Sequence, residues 1–484
     1  EAIQYYEKAI QIRPDSAEAY NNRGIVLVEL GKPNEAIKSY EKAIKIKKDY
    51  AEAYSNCGIA LQELRKLSEA TDNFRKAISI APENEIFWDA FAHCLQAVRF
   101  TSCDESLVYD LLQILEQRTA NPHRISRALI SALQCYPKFK EIFEIYKSNI
   151  NEEDIDYFTS QFSSIPLFLR VMELSTIKNL NIEKMLLQMR ALMLTRAIKI
   201  NNEAQGLPFY IAMSMQCFCN EYIYFESKNE KQNIKLLQEE IKFSLKKNET
   251  ISQTKIAILG AYRPLSSFEW ANDLLKLNWS DDVKKIIVSQ IENNIKEKTL
   301  RSEIPHLNII DDKISQIVRK QYEENPYPRW RYTYKNLSSN FLNHLNNEIK
   351  PNRFGYNNKF NNPNVLVAGC GTGQHIAIIA DKYLNSKILG IDLSLSSLAY
   401  AKRKVEELGH KNVEFLHADI LQLKNLKRKF NIIECVGTLH HMKNPEAGLR
   451  ILLNLLDENG FLKLGLYSEI ARQNIIKARR QRSK

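Results

Sequence analysis

Three glycines at alternate positions could form the backbone of a ligand site. Gly369, Gly371 and Gly373 separate the apolar run 364–368 from a segment whose apolar residues recur at helical spacing. Glycine permits a sharp turn and lets a ligand approach where a Cβ would clash. The helix N-terminus that follows offers unpaired N–H groups to a negative ligand group. The pattern predicts a buried strand, a glycine-rich turn and a helix that bind a ligand at the turn.

Acidic residues follow the next predicted strands. Asp392 ends the run 387–392, about 20 residues beyond the turn, where a carboxylate can accept hydrogen bonds from both hydroxyls of a ribose. Asp419 follows a third run at 413–416. Further runs at 430–436 and 460–466 bring the predicted strands to five. Because these strands alternate with helical segments, they predict a parallel sheet with helices on both faces.

From about residue 340 to the end, the sequence resembles class I S-adenosylmethionine-dependent methyltransferases, which have an α/β Rossmann-like fold. The resemblance implies that Asp392 binds the ribose, that Asp419 and Ile420 contact adenine, and that Glu434 and Cys435 line the methionine end. The full predicted cofactor set is Gly369, Gly371, Gly373, Gln374, Asp392, Leu393, Asp419, Ile420, Glu434 and Cys435.

Two departures from the family pattern bear on chemistry. Val367 stands where the family usually has an acid that orients the methionine amino group, so Gln374, His375 or a junction residue would have to supply that contact. The fourth-strand segment is not Asp-Pro-Pro-Tyr or Asn-Pro-Pro-Tyr. We therefore expect O- or C-methylation and not methylation of an exocyclic amine.

A general base is needed only where the methyl acceptor carries a proton, as a hydroxyl does. The run Leu439-His440-His441-Met442 is typical of the small-molecule branch of the family. His440 lies just beyond the fourth predicted strand and is the candidate base. The alternative is that both histidines only shape the pocket wall.

The N-terminal region repeats at a 34-residue period. Glu1-Ala2-Ile3 returns as Glu35-Ala36-Ile37 and as Glu69-Ala70-Thr71, with aromatic and small residues in phase. This resembles the tetratricopeptide repeat, and it implies a curved helical array over 1–100 that binds a protein or peptide on its concave face. Because Glu1 falls within the second helix of a repeat, we expect an incomplete first copy and a fragment of a longer chain.

The whole chain is predicted to be multidomain. A helical connector covers 101–310, a proline- and aromatic-rich junction 311–335, and the methyltransferase domain 336–484, which resembles the family without its last strands. Residues 467–484 are expected to form one basic helix. The junction is either a stiff linker or a cover for the next domain's ligand site, with Tyr322, Tyr327, Arg329 or Trp330 over its mouth. The combination resembles bacterial fusions of repeats and a methyltransferase.

Composition narrows the class of protein. Eight cysteines without a Cys-x-x-Cys pair predict a reduced, cytoplasmic protein without a metal site, and no apolar run is long enough to span a membrane. Residues 311–484 hold 28 basic and 16 acidic side chains, but without an interleaved aromatic pattern, so a nucleic acid partner is disfavoured.

The substrate stays open between a small molecule, a glycan and a protein. Two alternative functions remain. One is an interaction scaffold whose methyltransferase-like domain is weak or inactive, suggested by Val367. The other is an NAD-dependent oxidoreductase, which is disfavoured because the turn reads Gly-x-Gly-x-Gly and not Gly-x-Gly-x-x-Gly.

Overall fold

The computed structural model describes residues 1–474 except 119, 148–149, 201, 308–309, 325, 327, 332, 334–337, 350–353, 356–359 and 469. It divides into two compact units, Glu1–Ile286 and Ile287–Lys484. No described helix is both long and apolar enough to cross a membrane.

The first unit begins with helical hairpins in the predicted 34-residue rhythm. Small residues let the two helices of a hairpin approach: a Cβ on Gly24 would lie 2.5 Å from the Tyr40 ring, and one on Gly58 would lie 2.8 Å from the Phe74 ring. The predicted repeat array is confirmed. Its helices are α1 (Ala2–Ile12), α2 (Ala17–Glu29), α3 (Pro33–Ile46), α4 (Ala51–Glu63), α5 (Leu67–Ile80) and α6 (Glu85–Leu95).

The rest of the first unit is also helical, as predicted for the connector. The side chains of Cys217 and Cys219 are buried in this helical region. The helices are α7 (Glu105–Glu116), α8 (Ser126–Cys135), α9 (Pro137–Lys147), α10 (Ile155–Ser163), α11 (Pro166–Leu174), α12 (Leu180–Lys199), α13 (Leu207–Cys219), α14 (Lys228–Lys247), α15 (Gln253–Gly260), α16 (Ala271–Leu274) and α17 (Asp281–Ile287).

A buried arginine joins three helices of the connector. The Arg190 guanidinium is fully buried, donates from Nη2 to the Phe225 carbonyl at 2.8 Å and lies 3.6 Å from Glu230 Oε1. The Tyr262 ring lies 4.1 Å from the guanidinium, and its hydroxyl donates to Glu230 at 2.7 Å. This cluster places a buried charge pair between α12, α14 and the end of α15.

Removing the arginine should destabilise the first unit strongly. We expect Arg190→Met to lower the free energy of unfolding by about 3–5 kcal/mol, because the buried Glu230 would lose its partner. The measurement is the urea unfolding curve. Arg170→Met is the control, since Arg170 forms a partly exposed pair with Glu173 and should cost less than about 1 kcal/mol. Equal losses for both variants would contradict the prediction.

The second unit holds a parallel five-stranded sheet in the order β3-β2-β1-β4-β5, which confirms the predicted α/β fold. One hydrophobic cluster lies on each face of this sheet. The strands are β1 (Asn364–Ala368), β2 (Lys387–Asp392), β3 (Val413–His417), β4 (Phe430–Val436) and β5 (Leu456–Gly465). The helices are α18 (Asn293–Glu303), α19 (Lys313–Glu324), α20 (Phe341–Glu348), α21 (Gln374–Lys382), α22 (Leu395–Glu407) and α23 (Pro445–Leu455).

Two features differ from the expectation. The predicted connector ends at residue 310, whereas α18 belongs to the second unit: it packs on α22 through a 2.8 Å ion pair between Glu297 and Arg403. Helical periodicity alone could not assign α18 to a unit. In the expected basic helix at 467–484, the described part contains a short 3-10 turn, Ile470–Arg472. Residues 475–484 lie outside the described residues.

Candidate active site

The glycine turn between β1 and α21 has the predicted geometry. All three glycines have positive φ, at +75° for Gly369, +53° for Gly371 and +81° for Gly373. A Cβ on Gly369 would lie 2.1 Å from Thr438 Oγ1, and one on Gly373 would lie 2.5 Å from the Ala401 Cβ. A Cβ on Gly371 would meet nothing within 4 Å. The outer glycines therefore permit close packing, and the middle glycine lines open space.

Asp392, the predicted ribose acid, lies beside this open space. Its Oδ2 accepts the N–H of Gly371 at 2.8 Å, and its Oδ1 accepts the N–H of Ser394 at 2.9 Å. Burial raises the pKa of Asp392, while these backbone hydrogen bonds pull it down. The carboxylate is thus fixed between the end of β2 and the turn after β1.

Asp419 and Ile420, predicted to contact adenine, follow β3 and are both buried. Asp419 Oδ1 accepts the N–H of Leu421 at 2.9 Å and so begins the 3-10 turn Ile420–Asn425. Because β3 pairs in parallel with β2, this turn lies next to the carboxyl end of β2.

A histidine pair that sequence reasoning missed lies at this edge of the sheet. The Nδ1 atoms of His306 and His417 are 2.8 Å apart, and His417 Nε2 is 2.8 Å from the Leu393 carbonyl. Burial lowers the pKa of His417, which favours the neutral ring that such a pair needs. The pair connects the chain before α19 to the end of β3.

Glu434 of β4 is the most buried acid near the turn, with 1% of its side chain exposed. His375 Nε2 lies 2.7 Å from Glu434 Oε2, and the Tyr383 hydroxyl donates to Glu434 Oε1 at 2.7 Å. Burial alone would raise the pKa of Glu434, but these two partners outweigh it and leave the pKa below its usual range. The carboxylate is therefore ionised beneath the first turn of α21.

The proline- and aromatic-rich junction is fastened to the glycine turn. Trp330 is buried and donates from Nε1 to the Thr372 carbonyl at 2.7 Å, while Thr372 Oγ1 donates to the Pro328 carbonyl at 2.8 Å. The Tyr400 hydroxyl of α22 donates to the Trp330 carbonyl at 2.6 Å. The junction is thus packed against the turn and is not a free linker at these residues.

The other junction residues differ in position. Burial, and then the charge of Asp392, raise the pKa of Tyr322, so its hydroxyl lies in the electrostatic field of that acid. Arg329 lies in electrostatic range of the buried Tyr400 hydroxyl. Tyr327 lies outside the described residues. A role for the junction as a cover over the cofactor stays a prediction.

His440, the candidate base, follows β4 in a short 3-10 turn, Leu439–His441. Its ring centroid lies 3.8 Å from that of Tyr467, and its Nε2 lies 3.1 Å from His441 Nε2. Its Nδ1 is buried and has no hydrogen-bond partner among the described residues. Burial, followed by His441 and Arg472, lowers the pKa of His440. The imidazole is therefore neutral at pH 7 and able to accept a proton.

Comparisons with protein families bear on both halves of the chain. A family model described as a methyltransferase domain matches residues 359–481. Models described as TPR repeat and tetratricopeptide repeat match residues 1–31, 26–65 and 51–84. The chain carries tetratricopeptide repeats followed by a methyltransferase domain. The predicted resemblance to both families is confirmed. S-adenosylmethionine is the cofactor of the predicted methyltransferase class.

Individual relatives cover only part of the chain. An uncharacterized protein of Synechococcus is 28% identical over 36% of this chain and 42% of its own length. N-methyltransferase 4 of Papaver somniferum is 36% identical over 20% of this chain and 28% of its own length. The structure of PKMT2 from Rickettsia typhi, in complex with AdoHcy, is 30% identical over 22% of this chain and 21% of that chain, with a TM-score of 0.21. The chain thus spans less than half of each of these relatives.

The methyltransferase domain brings most of the predicted cofactor residues to the carboxyl ends of β1 to β4. Cys435 also lies near the end of β4, but its side chain is buried in the hydrophobic cluster on the opposite face from Glu434, and burial raises its pKa to about 11. The described residues contain no group of His, Cys, Asp and Glu side chains that could hold a metal ion.

Sequence reasoning also missed Glu323 and Tyr383. Glu323, near the end of α19, accepts the N–H groups of Leu395 at 2.6 Å and Ser396 at 3.1 Å, which caps the N-terminus of α22. Tyr383 follows α21, and its hydroxyl donates a hydrogen bond to Glu434. No spacing rule connects these residues to the glycine turn, so only the folded structure identifies them.

Proposed function

We propose that this chain is an S-adenosylmethionine-dependent methyltransferase whose repeats recruit or present the substrate. The observation that carries the proposal is the open cradle at Gly371 next to the fixed carboxylate of Asp392. A ligand with a ribose could place its hydroxyls at Asp392 while its chain passes over a residue that has no side chain.

The residues present fit the cofactor. Gln374 Nε2, at the start of α21, is buried and has no hydrogen-bond partner among the described residues. This N–H donor near the turn could therefore bind an acceptor atom of the cofactor. Asp392 would hold the ribose, the turn at Asp419 and Ile420 the adenine, and the corner at Glu434 the methionine end. When bound, the cofactor supplies a methyl group on a positively charged sulfur.

The residues of this chain then have to orient an acceptor and remove its proton. His440 is neutral and stands beyond β4, and we propose that its imidazole accepts the proton of a hydroxyl or carbon acid. The Tyr467 ring, tilted by 38° against the imidazole, limits the orientations of His440. Once it has accepted the proton, His440 would be a positively charged imidazolium, and no carboxylate among the described residues forms a hydrogen bond with it.

A nitrogen acceptor is the second candidate. Several relatives are named N-methyltransferases, including the probable (S)-tetrahydroprotoberberine N-methyltransferase 2 of Papaver bracteatum, which is 32% identical over 20% of this chain. A neutral amine needs no base before it is methylated, so His440 would then matter less.

The repeats supply a surface for recruitment. The first helices of successive repeats contact each other, and Asn56 Nδ2 donates to Asn21 Oδ1 at 3.0 Å between α4 and α2. Ile25 and Ile59 are exposed on the same two helices. We propose that a protein or peptide segment binds along this face.

Calorimetry with the full chain tests the proposed function. We expect binding of S-adenosylmethionine and S-adenosylhomocysteine with a dissociation constant in the micromolar range and no binding of NAD. Absence of binding for all three would favour the interaction scaffold, and binding of NAD alone would favour an oxidoreductase. Incubating a cell lysate with the chain and methyl-labelled cofactor, then separating protein from small molecules, would identify the class of acceptor.

A further inference from the structure

The strand order determines where the two ends of the proposed cofactor lie. The predicted adenine contacts follow β3 and the ribose acid ends β2, and the sheet continues through β1 to β4. A ligand that extends from Asp419 past Asp392 and over Gly371 therefore reaches β4 with its other end. The methionine end, which carries the α-ammonium and the α-carboxylate, must be bound at the β1–β4 corner.

The acid absent from β1 has a counterpart on the neighbouring strand. Val367 pairs in register with Glu434 across β1 and β4, and both side chains face the hydrophobic cluster under α21. A carboxylate on β4 is thus one strand spacing, about 5 Å, from the place where an acid on β1 would lie. It is ionised and accepts hydrogen bonds from His375 and Tyr383.

The Glu434 side chain is buried, whereas the His375 side chain is partly exposed to solvent. About a third of the His375 side chain is exposed (34%), against 1% for Glu434. The Glu434 carboxylate requires a hydrogen on Nε2 of His375, and in the neutral ring this leaves Nδ1 as an acceptor. Nδ1 makes no hydrogen bond to any described residue.

We propose that His375 binds the α-ammonium of the cofactor through Nδ1 and that Glu434, held by Tyr383, is its positioning residue. This inference rests on the proposed function. It identifies the residue that would contact the ammonium, since Val367 has no carboxylate with which to do so. An ammonium N–H donates to Nδ1, and the negative charge of Glu434 behind the ring stabilises the cation. The same negative charge disfavours an anionic group at this position, so the α-carboxylate must turn toward the N–H groups at the start of α21.

The alternative is that the three residues form a structural network only. A buried carboxylate with two hydrogen bonds can stabilise a fold without touching a ligand. The two roles differ in which ligand they affect. A structural loss weakens every ligand of the domain, whereas a contact to the ammonium weakens only ligands that carry it.

Three ligands separate these cases by calorimetry on the full chain. S-adenosylhomocysteine carries both the ammonium and the carboxylate, its decarboxylated analogue keeps the ammonium, and 5′-methylthioadenosine has neither. We expect His375→Ala to weaken the first two by about 10- to 100-fold, the effect of losing a charge-assisted hydrogen bond. The affinity for 5′-methylthioadenosine should stay within about twofold, and this also shows that the variant is folded.

Glu434→Gln should give the same pattern. Its amide oxygen can accept from Tyr383, but its NH2 group then faces His375 Nε2, so the variant loses both the negative charge and the hydrogen bond that leaves Nδ1 as an acceptor. The matched control is His410→Ala. His410 also faces a carboxylate, Asp381 at 3.5 Å, but it precedes β3 at the opposite end of the strands. All three affinities should be unchanged in this control.

Several outcomes would overturn the inference. One is an equal loss for 5′-methylthioadenosine in His375→Ala, which indicates a structural role. Another is a loss for S-adenosylhomocysteine but not for its decarboxylated analogue, which assigns His375 to the carboxylate. If the unaltered chain binds neither S-adenosylhomocysteine nor 5′-methylthioadenosine, the proposed function fails first. If it binds both equally, only the present inference fails.

Discussion

His440→Ala should lower kcat by about 10²- to 10⁴-fold for a hydroxyl or carbon acceptor, the usual contribution of a general base. The affinity for S-adenosylhomocysteine should not change, because His440 follows β4 and lies outside the predicted cofactor set. The acceptor is the one identified by the labelling experiment. An unchanged kcat would show that the histidine only shapes the pocket wall.

The pH profile gives a second measurement of the same prediction. Below its pKa the imidazole is protonated and cannot accept a proton, so kcat/KM should fall on the acid side. Burial, then His441 and Arg472, lower the pKa of His440, and the fall should therefore begin below the ordinary histidine value of about 6.5. His441→Ala is the control: it removes one cause of the low pKa, so the acid limb should move upward while kcat falls less than tenfold.

Much of the fold could be predicted because its signals are local. The 34-residue repeat, the apolar runs of β1 to β5 and the glycines of the turn each lie within a short stretch of sequence. Asp392 could be placed at the end of the strand after the turn for the same reason, and its role as the ribose acid stays a prediction. Such features depend on periodicity and backbone conformation, which a sequence displays directly.

The rest of the site depends on pairs that are distant in sequence. His375 and Glu434 are 59 residues apart, Glu323 and Leu395 are 72 apart, and His306 and His417 are 111 apart. No periodicity connects such pairs, since each depends on how two elements pack. The burial of Cys435 away from the site has the same origin, because adjacent residues of a strand face opposite sides of the sheet.

Gly371→Ala should lower the affinity for S-adenosylhomocysteine by at least about tenfold, the expected effect of one added carbon in a fitted space. The new Cβ would enter the open space beside the Asp392 carboxylate, where the structure has no atom within 4 Å. The left-handed backbone at φ +53° adds a stability loss of about 1–2 kcal/mol for any residue with a Cβ. Calorimetry and thermal unfolding measure the two effects separately.

Gly409→Ala is the matched control for the glycine in the cradle. Gly409 also has positive φ, +81°, and a Cβ added to it would meet nothing within 4 Å, but it follows α22 on the side away from the carboxyl ends of the strands. Both variants should lose similar stability, and only Gly371→Ala should lose affinity. If Gly409→Ala weakened binding equally, backbone strain alone would explain the loss, and the space at Gly371 would not be where the cofactor lies.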